Sequence, residues 1–515
     1  MFDIIIERGR VIDGTASPWF VCDVAIANGR IAAMGKLDSA PTKRRIDAAG
    51  KVVCPGFIDA HAHSELAIMA NPRHESRTMQ GFTTEVLGMC GLSVAPSTTP
   101  TTAAMNDYYT AVLGRPLPAD ASFTVAQLLD RLDRQSAVNV AYCVPHATLR
   151  VEAAGMRAGP VTEAEMAKMK ALLAQAMADG ACGMSTGLMY FPSSEADTAE
   201  LVELSRVVAE CGGVYTTHMR NYGDDFAGSL EEVITIGREA NLPVHVSHFR
   251  MTAGAKGRAD EFLARLDQAR AEGIDITCDC YPYLLGCTVL TYYVLAMEAY
   301  DGGKEKLLAK LRDPAQRAAL QRERPEGFEH EVFIGAVASE ANREAQGLSL
   351  HELAERRGTD YYNACCDLLV EEKLLVTAIG ISADEDDLRQ VMRHPASMLG
   401  SDSVPVDGRC HPRVFGAAGR YLAKYVLGEK LMRLEEAIRK MTSFPALRHG
   451  LTDRGALKVG LAADVVVFDP ATLRDKATYE EPRQHPDGIE HVIVNGEPVV
   501  SNGTHTGATP GRAMR

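Results

Sequence analysis

The chain has 515 residues, of which 46% are hydrophobic and 24% are charged, and its formal net charge is −14. These proportions are typical of a globular protein, and the length allows one large domain with a smaller one, or three modest domains. The negative charge argues against a nucleic-acid-binding protein, which normally presents a basic face.

The N-terminal residues lack the basic region and apolar stretch of a secretory signal, and no apolar run reaches the roughly eighteen residues of a membrane span. The twelve cysteines are scattered and form no paired CxxC framework. This distribution is typical of reduced thiols in a cytoplasmic enzyme. We therefore expect a cytoplasmic protein with neither a nucleic-acid nor a membrane partner, and homo-oligomer formation is left open.

Both ends of the chain are rich in short predicted strands. Phe2–Glu7 and Val21–Ile26 are apolar and β-branched near the start, and Asp464–Phe468 and Glu490–Val494 have the same character near the end. Asn495 with the following glycine is a strong hairpin signal. The pattern predicts one small β domain built from both termini, although two separate β appendages would give the same pattern.

Short apolar runs alternate with helix-length segments through the middle of the chain. Alternating strands and helices indicate a parallel sheet, and eight repeats fit a (β/α)₈ barrel. A doubly wound open sheet is the alternative, but no glycine-rich phosphate loop follows the first strand. The eight predicted strands are Gly56–Ala60, Thr83–Leu87, Val138–Val144, Ala181–Ser185, Val214–Thr217, Val244–Ser247, Ile274–Thr277 and Ser397–Gly400.

We therefore predict an α/β fold with a barrel domain over residues 56–454, and a small β domain made of residues 1–55 and 455–515. The strand–helix spacing breaks between Tyr283 and Asp402. We expect an insertion over the barrel mouth around residues 285–349. The pattern leaves open which run forms the seventh strand.

Four histidines and one aspartate stand where predicted barrel strands end. His61 and His63 close the first strand, and because residues i and i+2 share a face, both imidazoles point the same way. His218 and His248 each end a strand and begin a loop, and Asp402 closes the last barrel strand. One chance His-x-His would mean little, but barrel enzymes carry their chemistry at these strand ends. The set predicts a metal-dependent active site.

Cys90 and His245 are less obvious members of this region. A buried cysteine most often only fills space, but beside imidazoles and a divalent cation Cys90 would be a thiolate ligand, which favours zinc. His245 lies at odd spacing from His248, so we expect it to face the helix layer in a structural role.

At this point the residues match a known family. The chain resembles the amidohydrolase superfamily, in particular its N-acyl-D-amino-acid deacylases (D-aminoacylases), and the motifs occur in the family's order over nearly the whole chain. The resemblance implies a TIM-like barrel with a small β-sandwich assembled from both termini. The matching motifs are Pro55–His63, Gly81–Gly91, Gly183–Gly187, Thr217–Arg220, Ser247–His248, Tyr281–Tyr283, Gly400–Asp402 and His411–Arg413.

The resemblance also implies a zinc centre with a tight site and a weak or partly empty second site. The implied ligands of the tight site are Cys90, His218 and His248. The implied second site consists of His61, His63, bridging Cys90 and nearby Asp402. Many other amidohydrolases bridge their metals with a carboxylated lysine on the fourth strand, but residues 180–187 contain no lysine. This absence supports Cys90 as the bridge.

The implied reaction is hydrolysis of the amide bond of an N-acyl-D-amino acid by a metal-activated water, giving a carboxylate and a free D-amino acid. Asp402 would be the general base and then the general acid. By resemblance, Arg250, Tyr283 and Arg413 would bind the substrate carboxylate, although each arginine alone could be a solvated surface charge. Arg250 stands where the family usually has lysine, so this chain departs from the pattern there.

Two other functions compete with this one. The first is a related amidohydrolase that acts on dipeptides or on other N-acyl or cyclic amides, with the same machinery and a different pocket wall. The second is a metal-binding scaffold without activity. Retention of Asp402 disfavours the scaffold, because a protein that only binds metal needs no proton carrier.

Overall fold

The computed structural model describes residues 1–114, 116–118 and 120–515. Within these ranges, eight parallel strands form one sheet in which the sheet order follows the chain order. All their residues are buried, as expected for a parallel sheet covered by helices. The strands are β1 (Phe57–Asp59), β2 (Phe82–Leu87), β3 (Asn139–Pro145), β4 (Gly183–Gly187), β5 (Val214–His218), β6 (Val244–Val246), β7 (Ile276–Cys280) and β8 (Ser397–Leu399).

Backbone hydrogen bonds just beyond β1 and β8 draw the two ends of this sheet together. The Asp402 amide donates to the His61 carbonyl at 2.8 Å, and the His63 amide donates to the Ser403 carbonyl at 3.0 Å. The predicted (β/α)₈ barrel is therefore confirmed. The open question about the seventh strand is also answered, because β7 pairs directly with β8.

Helices connect the strands and cover the outside of the barrel. Their starts follow local signals: Thr162, for example, forms a capping box with Glu165 before a 16-residue helix. The principal connecting helices are Glu65–Ala70, Glu75–Thr78, Thr99–Leu113, Val125–Leu132, His146–Ala154, Glu163–Ala178, Thr198–Glu210, Phe226–Ala240, Ala259–Ala271, Glu385–Arg393, Arg413–Arg420, Leu434–Met441 and Ser443–Arg448. A π-helix, Tyr421–Gly428, continues the helix that begins at Arg413.

A separate antiparallel sheet interrupts the barrel between β7 and β8. Its strands are Gly286–Val289, Val376–Gly380 and Phe333–Val337 in sheet order. The inserted segment therefore extends beyond the predicted residues 285–349. Its helices are Leu290–Val294, Gly303–Arg312, Pro314–Ala318, Phe328–Glu331, Leu350–Arg357 and Tyr361–Glu371.

Both termini build a small β-sandwich, as predicted. One sheet has four N-terminal strands, and the other combines strands from both ends of the chain. Its apolar interior includes Ile4, Ile6, Val24, Val465 and Ile493. In sheet order, the strands of the first sheet are Arg30–Gly35, Asp23–Ala27, Phe2–Glu7 and Thr42–Asp47. Those of the second are Thr504–His505, Glu497–Ser501, Ile489–Val494, Val465–Phe468, Val52–Pro55, Arg10–Val11 and Phe20–Val21.

None of the helices in the described part of the chain combines the length and apolar character that a membrane span requires.

Buried Asp464 joins the sandwich to the barrel. Its Oδ2 accepts a hydrogen bond from Asn139 Nδ2 on β3 at 3.0 Å, and its Oδ1 accepts one from the Asn495 amide at 2.7 Å. Arg454 forms an ion pair with the same carboxylate, and both side chains are 4% exposed. Burial raises the pKa of Asp464, while Arg454 opposes that rise. The guanidinium of Arg454 therefore favours the ionised form of this buried carboxylate.

We predict that Asp464→Asn lowers the free energy of unfolding by about 3 kcal/mol, because it leaves the buried Arg454 charge with only the partly exposed Asp453 as an ion-pair partner. Denaturant unfolding measures this loss. Asp453→Asn is the matched control, because Asp453 contacts the same arginine at 3.0 Å from a side chain that is 45% exposed. Equal losses in the two variants would show that the buried pair does not stabilise the junction.

Candidate active site

The carboxyl ends of the barrel strands gather six side chains at one mouth. All six are buried, and all except His61 line a cavity of about 430 Å³. His218 is the last residue of β5, and the others follow β1, β2, β6 and β8 within four residues. The six, all predicted from the sequence, are His61, His63, Cys90, His218, His248 and Asp402.

Cys90 is common to two groups of metal-type donor atoms in this cluster. In the first group, its Sγ lies 3.7 Å from His218 Nδ1 and 3.8 Å from His248 Nε2. A tetrahedral zinc ion would hold a sulfur and a nitrogen ligand about 3.6 Å apart. The spacing of these three donors therefore fits a zinc ion.

The second group lies on the other side of the Cys90 sulfur. His61 Nε2 is 3.2 Å from Sγ. Asp402 Oδ1 lies 3.5 Å from His61 Nε2 and 3.3 Å from His63 Nε2. The four potential ligand atoms are within 4.8 Å of one another. One sulfur thus lies between two sets of imidazoles, which is the arrangement expected of a bridging ligand.

A tight turn after β2 carries Cys90 into the mouth. Cys90 has φ 53° and ψ 26°, in the left-handed region that side chains other than glycine rarely adopt. Gly187, the last residue of β4, lies against this turn, and a Cβ atom there would be 2.1 Å from the Cys90 carbonyl oxygen. The close approach leaves no room for a side chain at the end of β4.

Two further members of the cluster have left-handed backbone conformations, His248 with φ 37° and Asp402 with φ 51°. Such conformations persist only where the surroundings hold them, and they concentrate at functional sites. The His248 amide donates to Asp279 Oδ1 at 2.8 Å, and the Asp402 amide donates to the His61 carbonyl at 2.8 Å. These bonds stabilise the strained residues.

The charges within the cluster favour a thiolate. Burial alone would raise the pKa of the Cys90 thiol, but the charge of His61 and hydrogen bonds from His218 and His248 hold it well below its usual value. Burial and the neighbouring His248 lower the pKa of His218 to about 4. This imidazole is therefore neutral near pH 7, with a lone pair available to a metal.

Asp279 on β7 supports the cluster from below. Its Oδ2 lies 3.3 Å from His61 Nδ1 and 2.9 Å from His245 Nε2. The prediction that His245 faces the helix layer was wrong: it is the neighbouring Val244 that packs against the helix at Gly237. His245 contacts Asp279 inside the barrel because the apolar side chains of β6 occupy the outer face.

Arg77 and two carboxylates form a fully buried network beneath His61. Arg77 pairs with Asp59 on β1 and, through Nε, with Glu85 on β2 at 2.7 Å. Its Nη2 also donates to Ser401 Oγ, just beyond β8, at 2.9 Å. Asp59 in turn accepts hydrogen bonds from the amides of Ser401 at 2.7 Å and His61 at 3.2 Å. The network ties the first, second and last strands together beneath the site.

Arg413 lies behind Asp402. It is fully buried, its Nη1 lies 2.8 Å from Asp402 Oδ2, and its Nη2 donates to the Cys287 carbonyl at 3.2 Å. Burial would raise the pKa of Asp402, but Arg413 and His61 hold it well below its usual value. Asp402 is therefore ionised at neutral pH. Arg413 does not line the cavity; its guanidinium carbon lies 4.6 Å from the ring centroid of Tyr281, which does.

Arg250 and Tyr281 form part of the cavity wall, and Tyr283 does not. Arg250 donates to the Tyr281 hydroxyl and, at 3.0 Å, to the Ile381 carbonyl. Tyr283 is buried against His411, with ring centroids 5.2 Å apart. The first tyrosine of the Tyr-Pro-Tyr motif therefore reaches the cavity, and the second packs behind it, while a role for Tyr283 in the carboxylate pocket stays a prediction.

The inserted segment adds positive charge to the cavity wall. Arg322 and Arg324 line it, and both donate to the Tyr292 carbonyl, at 3.1 and 2.9 Å. Within the described residues neither arginine forms an ion pair with a carboxylate. Two exposed acids, Asp224 and Glu331, also border the cavity. The two guanidinium groups are therefore available to an anion that enters the mouth.

The amidohydrolase family model matches residues 44–500. N-acyl-D-glutamate deacylase of Alcaligenes xylosoxydans xylosoxydans is 38% identical over 520 residues, which cover 100% of this chain and 96% of that protein.

Two solved structures are similar over the full length. The N-acyl-D-glutamate deacylase of Bordetella bronchiseptica, complexed with zinc and a phosphonate mimic of the tetrahedral intermediate, has a TM-score of 0.85 and 36% identity, covering 100% of this chain and 99% of that one. A D-aminoacylase with a binuclear metal centre, described by one-metal activation and second-metal attenuation, has a TM-score of 0.86 and 35% identity, covering 100% of both chains.

Proposed function

Because this chain belongs to the amidohydrolase family, among its N-acyl-D-amino-acid deacylases, we propose that it hydrolyses N-acyl-D-amino acids to a carboxylate and a free D-amino acid in a zinc-dependent reaction. The observation that carries the proposal is the position of Cys90 Sγ between two sets of imidazoles. Cysteine sulfur with histidine nitrogen is a donor set that zinc prefers. A cytoplasmic location remains a prediction from the sequence alone.

The proposed ligands divide into two sites. Cys90, His218 and His248 would hold one zinc ion tightly, and the distances from Sγ to their two ring nitrogens support this. His61 and His63, with bridging Cys90 and nearby Asp402, would form a weaker second site. His61 already directs Nδ1 to Asp279, so its Nε2 is the nitrogen available to a metal.

Asp402 is proposed as the proton carrier. When bound, zinc supplies Lewis acidity that polarises an amide carbonyl and makes water a better nucleophile near neutral pH. Arg413 keeps the Asp402 carboxylate ionised, so it can accept the proton that the attacking water loses. The same carboxylic acid can then protonate the departing amine, which would otherwise be a poor leaving group.

Arg250 is the proposed direct partner of the substrate α-carboxylate. It lies in the cavity wall with its guanidinium held by Tyr281 and by backbone carbonyls. Arg413 is proposed to contribute positive charge to this pocket from behind Tyr281 and Asp402. A planar guanidinium suits a carboxylate, because it can donate two parallel hydrogen bonds.

The released amino acid is proposed to carry an acidic side chain. A neutral side chain would leave Arg322 and Arg324 without an anionic partner, whereas a second carboxylate on the substrate would pair with them. Exposed Lys256 adds a further positive group to the same wall. Local cations of this kind are needed because the chain as a whole carries a net charge of −14 and repels anions.

Dipeptides and cyclic amides are the alternative substrates. They would be hydrolysed with the same metal-binding residues but would require a different cavity wall. The inactive scaffold is disfavoured because the N-acyl-D-amino-acid deacylases that this chain resembles over its full length are hydrolases.

We predict that the zinc-loaded protein hydrolyses N-acetyl-D-glutamate faster than its L-enantiomer, a dipeptide or a cyclic amide. Amine release in a substrate panel measures this. Asp402→Asn is the matched variant and should reduce kcat at least about 100-fold, because it removes the proton carrier but keeps the side-chain shape. Preferred turnover of dipeptides or cyclic amides would overturn the substrate assignment, and an active Asp402→Asn protein would overturn the role of Asp402.

We predict that Asp279→Asn weakens zinc retention by roughly 10- to 100-fold, because Asp279 orients His61 and the His248 backbone. Competition with a chelator measures the change. Asp275→Asn is the control, since Asp275 precedes the same strand and is exposed, paired with Arg448. Unchanged zinc affinity in Asp279→Asn would show that Asp279 only fills the barrel.

We predict that Arg322→Met and Arg324→Met each raise KM for N-acetyl-D-glutamate about tenfold, the effect of losing one charge-assisted hydrogen bond. KM for N-acetyl-D-leucine should stay unchanged. Steady-state kinetics on both substrates measure the difference. Arg343→Met, at an exposed arginine of the same inserted segment, is the control. Equal effects on both substrates would remove the two arginines from the side-chain pocket.

A further inference from the structure

A second cluster of metal-type donors lies at the opposite end of the barrel from the proposed active site. Cys182 directly precedes β4, Cys143 is on β3 in register with the first residue of β4, and His449 directly follows the helix Ser443–Arg448. Their potential ligand atoms all lie within 4.8 Å of one another. None of the three belongs to the cluster around Cys90.

The separation of the two sulfur atoms is informative. Cys143 Sγ and Cys182 Sγ are 3.6 Å apart. A disulfide would hold them at about 2.05 Å. Two thiolates on one tetrahedral zinc ion would be about 3.8 Å apart, given bonds of about 2.3 Å. The observed spacing is therefore close to that of a shared metal ion, without a change in the backbone.

His449 supplies an independent observation. Its side chain is only 2% exposed, and within the described residues neither ring nitrogen has a partner in good hydrogen-bond geometry. Buried polar atoms without partners are uncommon in proteins and call for an explanation, such as an ion or a water that binds them. The imidazole lies beside the two sulfur atoms, so an ion bound to all three residues would satisfy it.

The surroundings suit a soft or borderline ion. Cys143 is fully buried among apolar residues that include Ile58, Val86 and Leu451, while Cys182 is partly exposed. The adjacent Cys143 thiol and His449 lower the pKa of Cys182, against the effect of its burial. The partly exposed side of Cys182 gives an ion a route of entry and leaves a coordination position for water.

We propose that Cys143, Cys182 and His449 form a second metal site, for a thiophilic transition-metal ion such as zinc. The ion would tie the end of the helix Ser443–Arg448 to β3 and β4, so its effect would be on stability and not on the chemistry at the mouth. The proposal does not depend on the proposed function, because the two clusters share no ligand.

Cobalt(II) substitution tests the site, because thiolate–cobalt bonds give a strong near-ultraviolet charge-transfer absorption. Cys90→Ser removes the thiolate of the mouth, and the cobalt-loaded variant should retain one thiolate-bound ion per chain. The absorption should vanish in Cys90→Ser/Cys182→Ser and persist in Cys90→Ser/Cys211→Ser, where the second change removes an exposed cysteine. Cys90→Ser/His449→Ala should bind the ion more weakly than Cys90→Ser.

Three outcomes would overturn the proposal: no thiolate–cobalt absorption in Cys90→Ser, absorption that survives in Cys90→Ser/Cys182→Ser, or a mass lower by two hydrogens that assigns a Cys143–Cys182 disulfide. If Cys90→Ser does not fold, the comparison uses the chain with Cys90 present. The cobalt-to-protein ratio must then fall by one with Cys182→Ser and stay constant with Cys211→Ser. Loss of amide hydrolysis in any variant has no bearing on this ratio.

Discussion

The ion pairs of buried Arg77 are the interaction on which the active site depends. The guanidinium joins Asp59 on β1 and Glu85 on β2, and it also reaches Ser401 beyond β8. Removing charged groups from water is expensive, and only well-placed opposite charges and hydrogen bonds offset the loss. Here Asp59 on β1 and Glu85 on β2 supply the opposite charges, and Ser401 beyond β8 supplies a further hydrogen bond. The same contacts therefore hold the two ends of the barrel sheet together and fix the starting points of the chain segments that carry His61 and Asp402.

A second constraint is steric. The turn after β2 can direct Cys90 into the mouth only because glycine ends β4, where a Cβ atom would collide with the Cys90 carbonyl. The position of Cys90 therefore depends on the glycine at position 187. A longer residue at position 187 would displace the sulfur that both donor groups share. Cys90, His248 and Asp402 all have left-handed backbone conformations. The surrounding hydrogen bonds must therefore hold these three residues in position.

Much of the barrel could be predicted from the sequence because its signals are local. Apolar runs mark the strands, and polar residues at their carboxyl ends necessarily meet at one mouth, which is why all six clustered residues were found. Tyr281 was missed because β7 already ends at Cys280, so the two tyrosines of that motif are not held on one face of a strand. Asp279 did leave a signal, an acid within an apolar strand, which implies a buried partner. The inserted sheet left little signal in the sequence, because its strands pair across long stretches of chain. Local patterns do not specify such pairings.

The sandwich has a consequence for the order of events during biosynthesis. Val52–Pro55 leaves the ribosome early, yet its antiparallel partner is Val465–Phe468. The core to which Val53 and Ile6 belong therefore stays incomplete while the whole barrel is translated, since Val465 and Val467 also contribute to it. The nascent chain can finish this domain only after the barrel segment between the two partners has emerged.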